Sequence, residues 1–269
     1  MADFNSILLV GCGNMAGSML RGWLAAGLAP ERFSVADPAV RDLPDGVHRL
    51  DAVPESGEFD VILLGIKPQV LAQVGPSVEP LVGRDTTLFS ILAGVELAVL
   101  QEQFPRAGGV VRLMPNLAAA LGKSPIAMAE AGLDDASRNE AFALLKPLGT
   151  PEWVAEDEFD LVTALAGSGP AFVYRFIDSL SVAAAELGLP ADKARRLALA
   201  MVDGAAALAA ASEHDPAELA RRVASPGGVT QAGLDAIDEG NSLSDLMLKT
   251  LRSARDRSAE MAEAARNSG

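Results

Sequence analysis

Through the first half of the chain, short unbroken apolar runs alternate with segments whose apolar residues recur at helical spacing. Ser6-Ile7-Leu8-Leu9-Val10, Phe33-Ser34-Val35-Ala36 and Asp60-Val61-Ile62-Leu63-Leu64-Gly65-Ile66 are such runs, as are Thr86–Ile91 and Gly109–Met114. Each predicts a strand buried on both faces, as in a parallel sheet. Between them, Met19, Leu20, Trp23 and Leu24 share a helical face that Gly27 terminates, Leu71 and Val74 share another, and residues 94–100 open a third helix. Pro125–Ala129 and Glu152–Val154 predict edge strands around a helix over 134–145, while His48 falls in a polar connection. This alternation predicts an α/β fold, a doubly wound sheet of Rossmann type over residues 1–156.

The period changes near Asp157. From there to residue 269 the chain reads as helix and is rich in alanine. Phe172, Phe176, Leu180 and Ala184 recur at helical spacing, a second helix is expected at 194–212, and Asp215-Pro216-Ala217-Glu218 has the form of an N-cap with proline at the first helical position. A last helix near 243–265 reads as a surface or partner helix with a frayed end. Alanine methyls bury little area, so these helices are expected to complete their core against a second subunit.

The first strand runs into Gly11-Cys12-Gly13-Asn14-Met15-Ala16, immediately before the first helix. At a strand-to-helix junction the first glycine allows the tight turn, the second lets a backbone approach a pyrophosphate, and a small third residue allows close packing. The amides of Asn14, Met15 and Ala16 would then face phosphates at the helix start. The plain alternative is a glycine turn of any α/β protein. Asp37 ends the second strand, roughly 20 residues beyond the glycines, where a carboxylate can bond the adenosine ribose. It is also an ordinary turn residue before Pro38, and Arg41 nearby suits a 2′-phosphate instead, so NAD and NADP both stay open. Lys67-Pro68 and Pro115-Asn116 follow strands at the same carboxyl edge of the sheet, where ligands bind.

The 269 residues carry 36 Asp and Glu against 22 Lys and Arg, a net charge of −14. Such a field argues against nucleic acid as a partner, but a few backbone amides can still hold an anionic cofactor. Cys12 is the only cysteine, so an internal disulfide or a cysteine-based zinc cluster is excluded and no metal is expected. The amino terminus lacks a basic, signal-like segment. The most apolar helical stretch, Leu197–Ala211, contains Asp203 and falls short of the about 20 residues a membrane span requires. A cytoplasmic protein is expected.

In the second half, Ser225-Pro226-Gly227-Gly228-Val229-Thr230 places two glycines ahead of a helix. The Gly228–Thr230 amides would form a small anion site if Thr230 begins that helix; simple capping by Thr230 is the alternative.

Together, Gly11–Ala16, Gly65-Ile66-Lys67-Pro68, Arg112-Leu113-Met114-Pro115-Asn116, Ala166-Gly167-Ser168-Gly169-Pro170-Ala171 and Ser225–Thr230 closely resemble the pyrroline-5-carboxylate reductases of proline biosynthesis. The resemblance implies reduction of 1-pyrroline-5-carboxylate to L-proline by NADPH or NADH, with a homodimer through the C-terminal helices and decamers built from such dimers. It implies that Ser225, Gly227, Gly228, Val229 and Thr230 hold the substrate carboxylate and that Thr230 also bonds the ring nitrogen. Glu213 would lie near that nitrogen, and Lys67 and Asn116 near the nicotinamide. The chain departs from the family's usual residues at Leu117, Ala118, Ala166, Phe172 and Ala52. The competing readings are reduction of a related cyclic imine or of a 2-oxo or hydroxy acid, and a dinucleotide-binding sensor without catalysis. A hydroxyacid dehydrogenase wants a catalytic lysine on a C-terminal helix, and neither Lys193 nor Lys249 is suitably placed; a sensor needs no carboxylate cradle.

Overall fold

A computed structural model describes residues 4–266 of the chain. It divides into two units, one of residues 1–168 with 253–269 and one of 169–252. The first contains β1 (Ile7–Val10), β2 (Phe33–Ala36), β3 (His48–Leu50), β4 (Val61–Leu64), β5 (Thr87–Ser90), β6 (Gly109–Met114), β7 (Ser124–Ala131) and β8 (Gly149–Trp153). They form one sheet in the order β3-β2-β1-β4-β5-β6-β7-β8. All neighbours are parallel except β6 and β7.

The apolar runs become central strands because both of their faces are covered. Ile7 and Leu9 of β1 join Val61, Leu63, Phe89 and Val111 in one core, and Leu8 and Val10 join Ile62, Leu64, Leu88 and Val110 in the other. Successive residues of a strand point to opposite faces, so one run of consecutive apolar residues serves both cores. Helices α1 (Asn14–Ala25) and α4 (Asp135–Leu145) cover the first face, through Met19, Leu20 and Trp23 and through Ala141, Leu144 and Leu145. The other face is covered by α2 (Leu71–Val78), α3 (Leu97–Gln103) and α5 (Phe159–Val162).

One edge expectation changes, and the polar connection at His48 proves to be a strand. Ser124–Ala131 is not at an edge: it lies between β6, to which it is antiparallel, and β8. The opposite edge is β3, whose three residues are exposed or half-buried and therefore lack the apolar run that marks an interior strand. The expected helix at 94–100 starts later, at Leu97, with Glu96 as its N-cap.

The second unit holds α6 (Gly169–Glu186), α7 (Ala191–Ala211), α8 (Pro216–Val223), α9 (Val229–Asp238) and the start of α10 (Ser242–Arg266). As expected, Asp215 caps α8, accepting the Glu218 amide at 2.8 Å, with Pro216 at the first position. Although α6 and α7 pack together, only Ser181, Ala194 and Ala198 of this unit are buried in the single chain. Tyr174, Phe176, Leu197, Leu199, Met201, Leu208 and Leu246 are exposed. The carboxyl-terminal half of α10 belongs to the first unit. There Ser258 donates to Asp160 at 2.7 Å, and Gly94 lies against Met261 and Ala262. The helix expected near 243–265 runs Ser242–Arg266, so the end expected to fray is helical as far as the described residues go.

Trp23 ties α1 to α4. Its indole is fully buried, stacks on Phe33 at 5.5 Å and donates from Nε1 to the Leu144 carbonyl at 2.7 Å. Trp23→Phe leaves that carbonyl unpaired and opens space beside it, and is expected to lower unfolding free energy by about 1–3 kcal/mol. A denaturant titration should show the lower midpoint with an unchanged slope.

Candidate functional site

The glycine-rich loop lies at the carboxyl edge of the sheet, between β1 and β4. In this strand order that is the point where connections diverge to either side, leaving a crevice outside the strand ends. The loop is fixed by its neighbours. Gly11 donates to the Ala36 carbonyl at 2.9 Å, Cys12 donates to Asp37 Oδ2 at 2.7 Å, and Gly65 donates to the Val10 carbonyl at 2.8 Å. Gly11 has φ +85°, and a Cβ there would stand 2.9 Å from the Gly65 backbone. A Cβ on Gly65 would meet the Gly11 carbonyl at 2.6 Å and Ala16 at 2.8 Å. Ala16 is thus the small residue that lets helix and sheet close together, as its place in the motif predicts.

The end of α1 suits a phosphate. Gly13 is its N-cap and supplies no side-chain cap, and the first turn contains no acidic residue. The amides of Asn14, Met15 and Ala16 have no acceptor inside the helix, and the space a Cβ on Gly13 would enter is open. These residues therefore fit the pyrophosphate of a dinucleotide. Cys12 is no nucleophile here: burial first, and then the Asp37 carboxylate, push its thiol above the usual range, so it stays protonated at neutral pH.

The remaining first-unit candidates lie on the same edge. Asp37 follows β2 and is half-buried, accepting Cys12 on one oxygen and the Ala39 amide on the other at 2.8 Å. Lys67 is exposed after β4, where Pro68 begins a short 3₁₀ turn. Asn116 follows β6, is 5% exposed, and has both ends of its side chain engaged. Oδ1 accepts the Ala118 amide at 2.9 Å, while Nδ2 donates to the Ala166 carbonyl at 3.0 Å. Ser124 takes the Asn116 amide at 2.9 Å. The amide thus connects the end of β6 to the π-helical turn Thr163–Gly167, a rare conformation that often marks functional sites.

Arg112, part of the motif but given no role from sequence, underlies this edge. Its buried guanidinium sits over the Phe159 ring at 4.0 Å and pairs with Glu156 at 3.2 Å. Glu156 also accepts the Leu97 amide at 2.7 Å, so one ion pair joins β6, the start of α3 and the approach to α5. Burial lowers the guanidinium's pKa and Glu156 opposes the shift. A lone arginine inside an apolar strand was the available signal, because a buried cation requires a partner.

In the second unit, Ser225–Thr230 is a turn into α9. Gly227 has φ +68°, which a side chain would strain. The helix begins at Val229 with Gly228 as N-cap and no side-chain cap, so Thr230 is not the cap. Gly228, expected among the anion-site amides, donates its own amide to the Ser225 carbonyl at 2.9 Å within the turn. The amides open to an anion are those of Val229, Thr230 and Gln231. Val229 and Thr230 are exposed, as are Ser225 and, after α7, Glu213. The structure thus gathers Gly11–Ala16, Asp37, Lys67, Pro68 and Asn116 on one sheet edge, and Ser225–Thr230 at one helix start.

No group of three or more His, Cys, Asp or Glu among the described residues is arranged to hold a metal ion. No helix among them is long and apolar enough to cross a membrane.

Comparison with known proteins agrees with this architecture. The pyrroline-5-carboxylate reductase dimerisation family matches residues 156–261. The chain is 34% identical over 265 residues to the pyrroline-5-carboxylate reductase of Pseudomonas aeruginosa, covering 96% of this chain and 97% of that one. A pyrroline-5-carboxylate reductase structure from Coxiella burnetii is 27% identical with a TM-score of 0.87, covering 97% and 99% of the two chains. The NADP-bound pyrroline carboxylate reductase of Plasmodium falciparum, 22% identical over 97% of this chain and 99% of that one, shares the fold with a TM-score of 0.80. With the glycine loop, the sheet order and both halves of the chain matched, this protein belongs to the pyrroline-5-carboxylate reductase family.

Proposed function

We propose that this protein reduces 1-pyrroline-5-carboxylate to L-proline with NADH or NADPH. The observation that carries this reading is the 34% identity to a pyrroline-5-carboxylate reductase along nearly the whole chain, with the glycine loop at the sheet's switch point. Residues 1–156 act as the dinucleotide-binding part and 157–269 as the substrate-binding and dimerisation part. The bound dinucleotide supplies a hydride to the C=N carbon.

The chain's own residues then have three tasks. Amides of Asn14, Met15 and Ala16 hold the pyrophosphate, with Gly11 and Gly13 permitting the approach. Lys67, Pro68 and the Asn116 turn shape the nicotinamide end; Asn116 acts there by positioning backbone, since its amide is engaged. At the second task, the start of α9 holds the substrate carboxylate through the Val229 and Thr230 amides and the Ser225 hydroxyl, with Gly227 and Gly228 shaping the turn. Anchoring each reactant lowers the freedom that hydride transfer must otherwise give up.

The third task is the proton. Hydride transfer to the imine carbon leaves the ring nitrogen as an amine, so a protonated or hydrogen-bonded nitrogen favours the reaction. Thr230 orients that nitrogen. Its hydroxyl is a weak acid, so the proton comes from a solvent water that the exposed Glu213 carboxylate holds and that is replenished from bulk.

The exposed apolar faces of α6, α7 and α10 support a homodimer, in which a second copy of the chain completes the helical core, with decamers of such dimers as the larger assembly. Patches of this extent mark association surfaces.

Four outcomes follow. The protein is expected to oxidise NADH or NADPH with the pyrroline acid faster than with larger cyclic imines; equal rates with the larger rings would assign a different substrate. Thr230→Ala should lower kcat/KM by about 100-fold, within the span of one catalytic hydrogen bond, while dinucleotide affinity stays within a few-fold. Glu213→Gln should reshape the pH profile of kcat without moving Tm; an unaltered profile removes the proton role. Sedimentation at micromolar concentration should give a dimer or larger species, and a folded monomer would overturn the shared helical core.

A further inference from the structure

The carboxylate at the end of β2 bears on which dinucleotide fits. Asp37 is not a free side chain in a loop. Cys12 and Ala39 hold its two oxygens at 2.7 and 2.8 Å, so the carboxylate is fixed beside the glycine loop. An ionised carboxylate only accepts hydrogen bonds and has room for about four. Two are used, which leaves acceptor capacity for a ribose hydroxyl. A 2′-phosphate offers no proton at neutral pH and would add negative charge against a group that cannot swing away.

The surrounding charge does not reverse this. In the register of β2 and β3, Ala36 pairs with Leu50, so Asp51 follows β3 as Asp37 follows β2. Arg49 pairs with that same Asp51 at 3.5 Å. Arg41 is exposed in the turn beyond Asp37. Arg21, on α1, donates to Ser18 at 3.0 Å.

We infer that Asp37 makes this protein prefer NADH to NADPH by accepting the adenosine ribose 2′-hydroxyl and repelling a phosphate at that position. The inference rests on the proposed seating of the dinucleotide on the Gly11–Ala16 loop. Neither the family nor the strand order dictates it, because the choice depends on one side chain and how rigidly it is held.

Direct titration of the full chain with NADH and with NADPH, read by nucleotide fluorescence, tests it without turnover. NADH is expected to bind at least about tenfold tighter, the scale of one like-charge contact near a protein surface. Asp37→Asn keeps the size and one acceptor but removes the charge; it should bring the two affinities within a few-fold, chiefly by tighter NADPH binding. Wild-type protein that binds NADPH as tightly as NADH overturns the inference, and Arg41→Ala then tests whether Arg41 holds the phosphate. A wild-type preference that survives Asp37→Asn unchanged also overturns the assignment to Asp37. Binding of neither nucleotide refutes the dinucleotide site itself, a result distinct from a lost preference.

Discussion

The close contact between Gly11 and Gly65 is the constraint on which the rest of the nucleotide-binding unit depends. Two backbones meet at the carboxyl ends of β1 and β4, near enough that a methyl on either would collide with the other. That approach turns the chain sharply out of the sheet and starts α1 with its first amides exposed. It also brings the loop within reach of β2, so Ala36 and Asp37 fix Gly11 and Cys12. Helix, loop and acidic side chain are thus placed by one junction. A side chain at Gly11 would displace all three rather than fill a space.

A second constraint acts at the other end of the edge. Arg112 is charged, buried and central, so β6 must carry its counter-charge with it. Glu156 provides that charge and also takes the first amide of α3, while Asn116 joins the end of β6 to Ala166. Two polar contacts therefore fasten β6, where the parallel run from β3 ends, to the segment that leads into the helical part. Buried groups of this kind specify one arrangement because any other leaves them unpaired.

The helical unit has the opposite character. Its residues form helices readily, yet in one chain only three of them are buried. Alanine favours helix and permits close approach but contributes little burial. Helix formation is local, whereas stability on this composition requires a surface from elsewhere. The same chain thus contains a unit with two complete cores and a unit with almost none of its own.

The parallel strands, the α1 junction, the Asp215 cap and the change to helices were legible in the sequence because each depends on neighbouring residues or on a short period. Strand β3 was hidden by its exposure, and β7 looked like an edge because alternation does not reveal which strands lie beside it. Nor could sequence reveal that the Gly228 amide turns inward to Ser225 or that Asn116 uses its whole amide to bridge two segments. Residue type and spacing determine local conformation and the chemistry a position can offer. The tertiary structure alone decides which donors and acceptors are already paired, because that depends on contacts between segments far apart in the chain.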